Sequence, residues 1–476
     1  METNQRHFNR GSVPTGYDID NSLKLESDNS ETLYKANANG NRRTWTTSMW
    51  IKRTELSTVD YLILHGVYGY PTGIRFNTDN ELELLLSDLT STEYKWVSNA
   101  RFRDTSAWYH IVCRVDTTQG TATNRQKVYV NGEEITWSSS ATIAQNFDTL
   151  ANYVQAVYDE VQFSYKEASQ YSNMYLAEVH HCDGYSYAPT EFGEFDEDSG
   201  IWTPIEADVS YGTNGFYLDF KDSSDLGNDA NGGTDLTLSN IAAADQSTDT
   251  PTNNFCTWNP LVTNAGVFTY TEGATKWKPS SGNWQTTTAS MGFTKGKWYA
   301  EFKMDGDVTS AMVGVQQLEN DTTYDGYYLG YHADTTSMGM GYYNADGDVY
   351  RNGGNTAYGA SFPSSVLVGV ALEFKDDGTA NMYVAKDNVW QNSGDPANGT
   401  NGFALNSGNA VDDFGFFSFA SSLYQNPGYW QANFGGYTTL SISSAASDAN
   451  GYGTFEYAPP TGFYALCTKN LSEFGG

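Results

Sequence analysis

The chain alternates. Apolar and polar residues change places at every second position in TWTTSMWIKR (44–53), DYLILHG (60–66), ELELLLSD (81–88), WYHIVCRVD (108–116), QKVYVNGEEI (126–135) and MYLAEVHH (174–181). A period of two sends successive side chains to opposite faces of an extended strand, so each run has one face to bury and one to leave wet. Turn residues separate the runs. Asn131-Gly132 joins VYV to EEI, the pairing that a two-residue hairpin favours, and Asp376-Asp377-Gly378 stands between VGVALEF and ANMYVA. No stretch beyond one turn places apolar residues at spacings of three and four between caps, as a helix requires. Many short strands with close turns predict an all-β chain of antiparallel sandwiches with little helix.

Composition then divides the chain. After a short N-terminal arm (1–15), a first β-sandwich is expected over 16–221, closing on the strand GFYLDF (215–220). Residues 222–261 are acidic, rich in Gly, Asn, Ser and Thr and poor in apolar groups, which reads as an extended linker crossing the surface. A second sandwich is expected over 262–440. The tail 441–476 holds the extended Ala458-Pro459-Pro460 between aromatic residues and is expected to pack back. Ser106-Ala107-Trp108-Tyr109 and Gly296-Lys297-Trp298-Tyr299 each precede an alternating strand, and each pair is read as starting a central strand with one ring in the core.

Charge removes whole classes of partner. The 57 acidic and 26 basic side chains leave a formal net charge of −31, with no basic stretch to displace phosphate counterions, so nucleic acid is excluded. The apolar run VLVGVAL (366–372) is far shorter than the roughly 20 residues that span a bilayer, and no membrane insertion is expected. Residues 1–20 lack the apolar core of a secretory signal, and cysteines 113, 182, 256 and 467 form no C-x-x-C, which fits folding in a reducing cytosol. The acids gather in turns, in EFGEFDED (191–198) and in 222–254, and read as a solvated coat.

Sites for chemistry are few. Glu81 and Glu83 share a strand face, and Glu133-Glu134 follows a hairpin turn; both pairs read as solvated positions rather than the two facing acids a glycosidase needs. His180 and His181 are adjacent, so their rings point to opposite faces and cannot share one metal ion without a bulge. Asn344, Asp346 and Asp348 resemble the opening of a calcium loop, yet Val349 stands where its glycine belongs and Asn355 where its glutamate belongs, which favours a hairpin turn. No catalytic residue, metal site or cofactor is predicted, and a calcium ion elsewhere on so acidic a surface stays open. The positive signal is aromatic: Tyr68 and Tyr70 in GVYGYPTG, Tyr324 and Tyr327 in ENDTTYDGYY, and Tyr424 and Tyr429 in SSLYQNPGYW are read as loop rings able to stack on sugars. The same rings would equally cover strand ends or subunit contacts.

The residues also resemble known families. NRRTWTTSMWIKR, AWYHIVCRVD, KVYVNGEEI and YLAEVHHCDG follow the strand order of a laminin-G-like, concanavalin A-like jelly roll over about 20–220. GKWYAEFKM, SMGMGYYNADGDVYRNG, SVLVGVALEFKDDGTANMYVAKDNVWQ and YWQANFGG resemble the SPRY (B30.2) sandwich over about 263–440. The connecting phrases GSVPTGYDIDNSLKLESD, SYGTNGFYLDFKDSSDLGNDANGG, DTPTNNFCTWNPL and PPTGFYALCTKNL look like those of tailed-bacteriophage virion proteins labelled tail fibre or concanavalin-like. The chain departs from long fibres in having no heptads and no repetitive shaft. The resemblance implies a non-enzymatic virion component, exposed on the particle surface and assembled in the host cytoplasm. It also implies other virion proteins as partners, a homo-oligomer (a trimer by analogy), and a host-surface glycan or protein as ligand. Two alternatives stand beside it: a capsid or tail decoration that cements subunits, and a glycan depolymerase using Glu81.

Overall fold

A computed structural model describes residues 16–66, 71–88, 93–154, 160–166, 170–261, 268–280, 282–306, 308–318, 327–331, 339–405, 415–424 and 428–475. Backbone contacts separate two compact units, Pro14–Thr252 and Asn253–Gly476.

In the first unit, alternation builds two antiparallel sheets around one core. One sheet runs, in spatial order, Glu133–Glu134, Gln126–Val130, Trp108–Asp116, Thr44–Arg53, Met174–Asp183, Ser22–Leu25 and Gln246–Ser247, with Phe216–Leu218 also on Met174–Asp183. The other runs Trp137–Ser139, Glu93–Arg101, Glu81–Ser87, Thr72–Phe76, Asp60–His65, Glu160–Phe163, Thr32–Ala36 and Thr237–Ser239. Met49, Ile51, Ile111, Cys113 and Val115 point inward to meet Leu62, Ile74, Leu84 and Trp96. The hairpin at Asn131-Gly132 forms with φ of 50° and 80°, the left-handed pair that a two-residue turn requires. A Cβ on Gly132 would lie 2.4 Å from the Trp202 ring, which lies over this turn.

The segment 222–261 expected to be a linker is instead folded into the units, 222–252 into this one and 253–261 into the next. Thr237–Ser239 pairs with Thr32–Ala36 and Gln246–Ser247 with Ser22–Leu25, while Leu226 and Leu236 enter the core. Its acids are not a solvated coat here. Asp245 sits 3.0 Å from Lys24 Nζ, and Asp249 sits 2.7 Å from Lys52 Nζ while accepting a 3.0 Å bond from Trp108 Nε1. Asp229, also buried, accepts from the Tyr217 amide at 2.9 Å. Polar positions on two sheet strands thus acquire partners from far along the chain, and burial makes each pair stringent because neither charge retains water.

Three histidines of this unit are enclosed: His65, His110 and His181, none more than 1% exposed. Burial draws His65 and His110 down to about 3 and His181 well below its ordinary value. Trp202 Nε1 donates to His110 Nδ1 at 2.9 Å, so His110 is the Nε2–H tautomer, 2.8 Å from Ser48 Oγ. Around His180 the strand carries a bulge, with Glu178 at φ 45°. The two adjacent rings diverge: His181 contacts Trp45 and Phe216 in the core, and His180 stacks on Tyr217 at 4.4 Å.

The second unit repeats the principle. One sheet runs Phe268–Thr271, Lys276–Pro279, Gly428–Asn433, Gly296–Gly306, Val368–Phe374, Ala380–Lys386 and Val389–Trp390, joined at its margins by Phe403–Ala404 and the parallel Tyr464–Ala465. The facing sheet runs Trp284–Thr288, Phe417–Tyr424, Ala311–Gln317, Gly339–Tyr343, Asp348–Arg351 and Gly354–Ala357. Trp258, Trp277, Trp298, Phe302 and Trp430 fill the space between them. Phe455, Phe463 and Cys467 pack on Tyr299 and Tyr383, and a short helix, Thr468–Phe474, ends the chain. Glu301, wholly buried, holds that last segment. Its carboxylate accepts from the amides of Glu456 (3.0 Å) and Tyr457 (2.8 Å) and from Asn433 Nδ2 (3.0 Å). All four cysteines are free and buried.

Candidate functional site

In the facing sheet of the second unit the outward positions are aromatic where water would ordinarily be met. Val313 and Val315, Tyr342, Val349 and Leu423 point into the core. Their neighbours Met312, Tyr343, Tyr350 and Tyr424 therefore point out. Trp284 lies opposite Tyr424 in the strand register, so the two rings meet at 5.6 Å.

A strap, residues 327–331 (YYLGY), lies flat across this face. Thr286 Oγ1 donates to the Tyr327 carbonyl at 2.9 Å, the Leu329 amide to Ser422 Oγ at 2.9 Å, and the Gly353 amide to the Gly330 carbonyl at 2.8 Å. Leu329 sinks onto Met312 and Ala420. The close approach depends on two glycines. A Cβ on Gly341 would lie 2.7 Å from Leu329 Cβ, and one on Gly330, at φ 77°, would lie 2.1 Å from the Tyr350 carbonyl oxygen.

The result is a continuous aromatic surface. Trp284 contacts Tyr328 (5.4 Å) and Tyr343 (6.0 Å) edge to face; Tyr350 meets Tyr328 and Tyr343, each at 5.5 Å. Tyr331 lies 4.5 Å from Tyr327 and 5.2 Å from Tyr328. Tyr327 and Tyr331 are the most open, 37% and 43% exposed. Burial, reinforced by a 3.1 Å bond to Asp346, pushes the Tyr350 phenol up to about 12; burial also raises Tyr328. The Tyr350 hydroxyl gives its proton to Asp346, while the Tyr328 hydroxyl stays protonated at neutral pH and can donate. Apolar rings bearing donors at their edges suit the alternating C–H and O–H surfaces of a sugar.

Two of the loop tyrosines expected from the sequence, Tyr327 and Tyr424, belong to this surface. Tyr424 is the last residue of a strand rather than a loop residue. Tyr429 also lies on a strand, in the opposite sheet, with Lys276 Nζ and Lys278 Nζ 4.4 and 4.6 Å from its ring centre, and takes no part. Tyr68, Tyr70 and Tyr324 lie outside the described residues. Trp284, Tyr328, Tyr331, Tyr343 and Tyr350 were missed, although the Tyr342-Tyr343 doublet in an alternating strand sends one ring outward.

The acidic candidates are otherwise engaged. Glu83 is not a solvated strand position: it is buried, with Arg75 Nε and Lys95 Nζ each 2.6 Å away. Burial raises its pKa, but those two cations outweigh burial and hold it below the ordinary value, which leaves no proton to give a leaving group. Asn77 Nδ2 donates to both Glu81 (3.0 Å) and Glu83 (3.2 Å). Glu133 and Glu134 are exposed beside the hairpin turn. Asn344 Oδ1 accepts from the Ala311 amide (2.7 Å) and Asp346 Oδ1 from the Asp348 amide (2.8 Å), so the Asn344–Asp348 stretch is a turn closed on itself. Among the described residues no three His, Cys, Asp or Glu side chains converge as metal ligands.

Residues 25–169 match the family model Laminin_G_3, described as the concanavalin A-like lectin/glucanases superfamily. The matched residues lie within the first unit. Among solved structures, a human SPRY domain is similar at 13% identity and TM-score 0.25, covering 37% of this chain and 99% of that one. Domains LG4-5 of the mouse laminin alpha1 chain align at 10% identity and TM-score 0.29, covering 93% and 89%. A putative carbohydrate binding protein from Bacteroides ovatus aligns at 14% identity and TM-score 0.34, covering 47% and 58%. No curated protein matches the chain.

Proposed function

We propose that this chain is a non-enzymatic glycan-binding protein that uses the aromatic face of its second unit as a stacking platform. One observation carries the reading: seven rings, Trp284, Tyr327, Tyr328, Tyr331, Tyr343, Tyr350 and Tyr424, crowd one outer sheet face, with protonated hydroxyls at its edge. The lectin-family match of residues 25–169 supports the same class of ligand. We further propose that the protein is displayed on a tailed-phage particle, as a tail appendage contacting a bacterial surface glycan. That step is supported by the connecting phrases at 11–28, 210–233, 249–261 and 459–471. Display in several copies multiplies sites that are individually weak.

The test has two arms. Purified protein is titrated with host capsular polysaccharide and lipopolysaccharide, wild type against Trp284→Ala and Tyr331→Ala; binding that falls in both variants supports the platform, and unchanged binding removes it. Antibody-gold labelling of intact particles is expected on the tail. Label on the capsid lattice would instead assign the face to subunit contacts, and release of reducing sugar would make the protein a depolymerase.

A further inference from the structure

A second, chemically different site lies in the first unit. There an open cleft of about 670 Å³ is lined by Gly40, Arg42, Arg43, Asp148, Asp183 and Tyr185, among others. Its wall is organised by Asp183 at the end of the strand Met174–Asp183. That carboxylate accepts from the Asn41 amide (2.7 Å) and from the Asn214 amide and Nδ2 (both 3.1 Å). Gly40 and Gly212 let two loops close over it, since a Cβ on either would lie 2.2 Å from its Oδ2 or 2.0 Å from its carbonyl oxygen. Asp183 is thereby committed to building the wall.

Arg42 is held in a different way. Nε donates to the Thr149 carbonyl at 2.7 Å, Nη2 to the Asp148 carbonyl at 3.0 Å, and the guanidinium lies 4.1 Å from the centre of the Tyr153 ring. Its pose is fixed, yet among the described residues no carboxylate comes within ion-pairing distance of it; Asp148 and Asp88 act on it only from farther away. The contrast is immediate: Arg43 forks onto Asp148 at 2.7 and 3.2 Å, Arg53 pairs with Asp60 and Arg75 with Glu83. In a chain with 57 acidic residues, an oriented, half-buried guanidinium without an acid of its own is set to receive one from outside. Beside it stands Tyr185, 41% exposed, stacked on Tyr187 at 5.5 Å and 11°, with its carbonyl tied to Thr46 Oγ1 at 2.9 Å.

We propose that this cleft binds a carboxylate-bearing sugar: Arg42 takes the carboxylate, Tyr185 the face of the ring, and the Arg43–Asp148 pair the neighbouring hydroxyls as donor and acceptor. One such cation in the cleft of a chain of net charge −31 selects one carboxylate per site and does not suit a polysulfated chain. The site is independent of the aromatic platform and stands if that platform binds nothing.

The test uses the full chain, titrated by calorimetry and saturation-transfer NMR with short galacturonate and glucuronate oligomers and with their methyl esters. The acids are expected to bind at least about tenfold more tightly than the esters, because esterification removes the charged partner of the guanidinium. Arg42→Gln is expected to abolish that difference while leaving ester binding intact. Tyr185→Ala, at an exposed position, is expected to weaken acid and ester alike by roughly three- to tenfold. Trp284→Ala is expected to change neither. Equal affinity for acid and ester, no binding of either acid at millimolar concentration, or unchanged acid binding in a folded Arg42→Gln would overturn the proposal. Should Arg42→Gln not fold, Arg42→Lys and Tyr185→Ala decide it, since both are expected to weaken acid binding and full retention in either would sink it.

Discussion

Lys52 and Asp249, 197 positions apart in sequence, form a 2.7 Å ion pair in which both side chains are withdrawn from solvent. The pair ties the end of the first unit to a central strand. Removing one partner strands the other charge: Asp249→Ala is expected to cost about 3–5 kcal/mol of unfolding free energy, while Lys52→Met combined with Asp249→Leu recovers most of it. Chemical denaturation of the full chain, followed by tryptophan fluorescence, measures both. A loss below about 1 kcal/mol for Asp249→Ala would mean that the pair contributes no more than a surface contact.

Acid is expected to unfold the first unit. His65, His110 and His181 have depressed folded-state values, so the stability they contribute is complete above an unfolded value near 6.5 and is lost as pH falls below it, for His65 and His110 towards about 3. At pH 5 the loss is about 2 kcal/mol for each of His65 and His110, and His181 adds to it in the same direction. Thermal melts at pH 7, 6 and 5 should show a steep decline; a flat profile would mean that these rings meet water in solution.

His65 offers a stabilising substitution. Among the described residues neither of its ring nitrogens finds a hydrogen-bond partner, although the ring is buried beside Trp45 and His181. His65→Phe removes an unmet N–H and is expected to raise stability by about 1 kcal/mol at pH 7. It should also flatten the acid decline by one histidine's share. A lower melting temperature in the variant would show that overpacking against Trp45 outweighs that gain.

The strap over the aromatic face is testable through Gly341. Gly341→Ala brings a methyl group to 2.7 Å from Leu329 Cβ and 3.2 Å from Met312 Cβ, so the strap must lift. The expected cost is about 1–3 kcal/mol, together with weakened glycan binding and altered Trp284 fluorescence. Wild-type binding in this variant would detach the strap from function.

Much of the fold was legible because period two assigns faces one strand at a time. Met49 and Ile51 point inward, as do Val313 and Val315, and Asn131-Gly132 turns as its residue types require. The segment 222–254 was misread for a physical reason. Its strands Thr237–Ser239 and Gln246–Ser247 are too short to show a period, and the cations that bury its acids, Lys24 and Lys52, lie about two hundred residues earlier. The aromatic face was half legible. Alternation directs Tyr343 and Tyr350 outward, but an outward position was equated with a wetted one, and the strap that roofs it comes from a stretch with no alternation of its own. The cleft was not legible at all. Nothing in the sequence marks Arg42: its place in the cleft and its hold on two carbonyls and a ring are properties of three-dimensional neighbours.

Glu301 sets a schedule for synthesis. Two of the amides that satisfy its buried carboxylate belong to residues 155 and 156 positions downstream. Until they leave the ribosome, this acid sits in a strand of the second unit with its bonds unmade, and the core around Tyr299 lacks Phe455 and Phe463. The first unit is complete once Asp249 has emerged, but the second must wait for residues 456 and 457. Nascent chains stalled before residue 456 should therefore present a finished first unit and an unfinished, chaperone-binding second one.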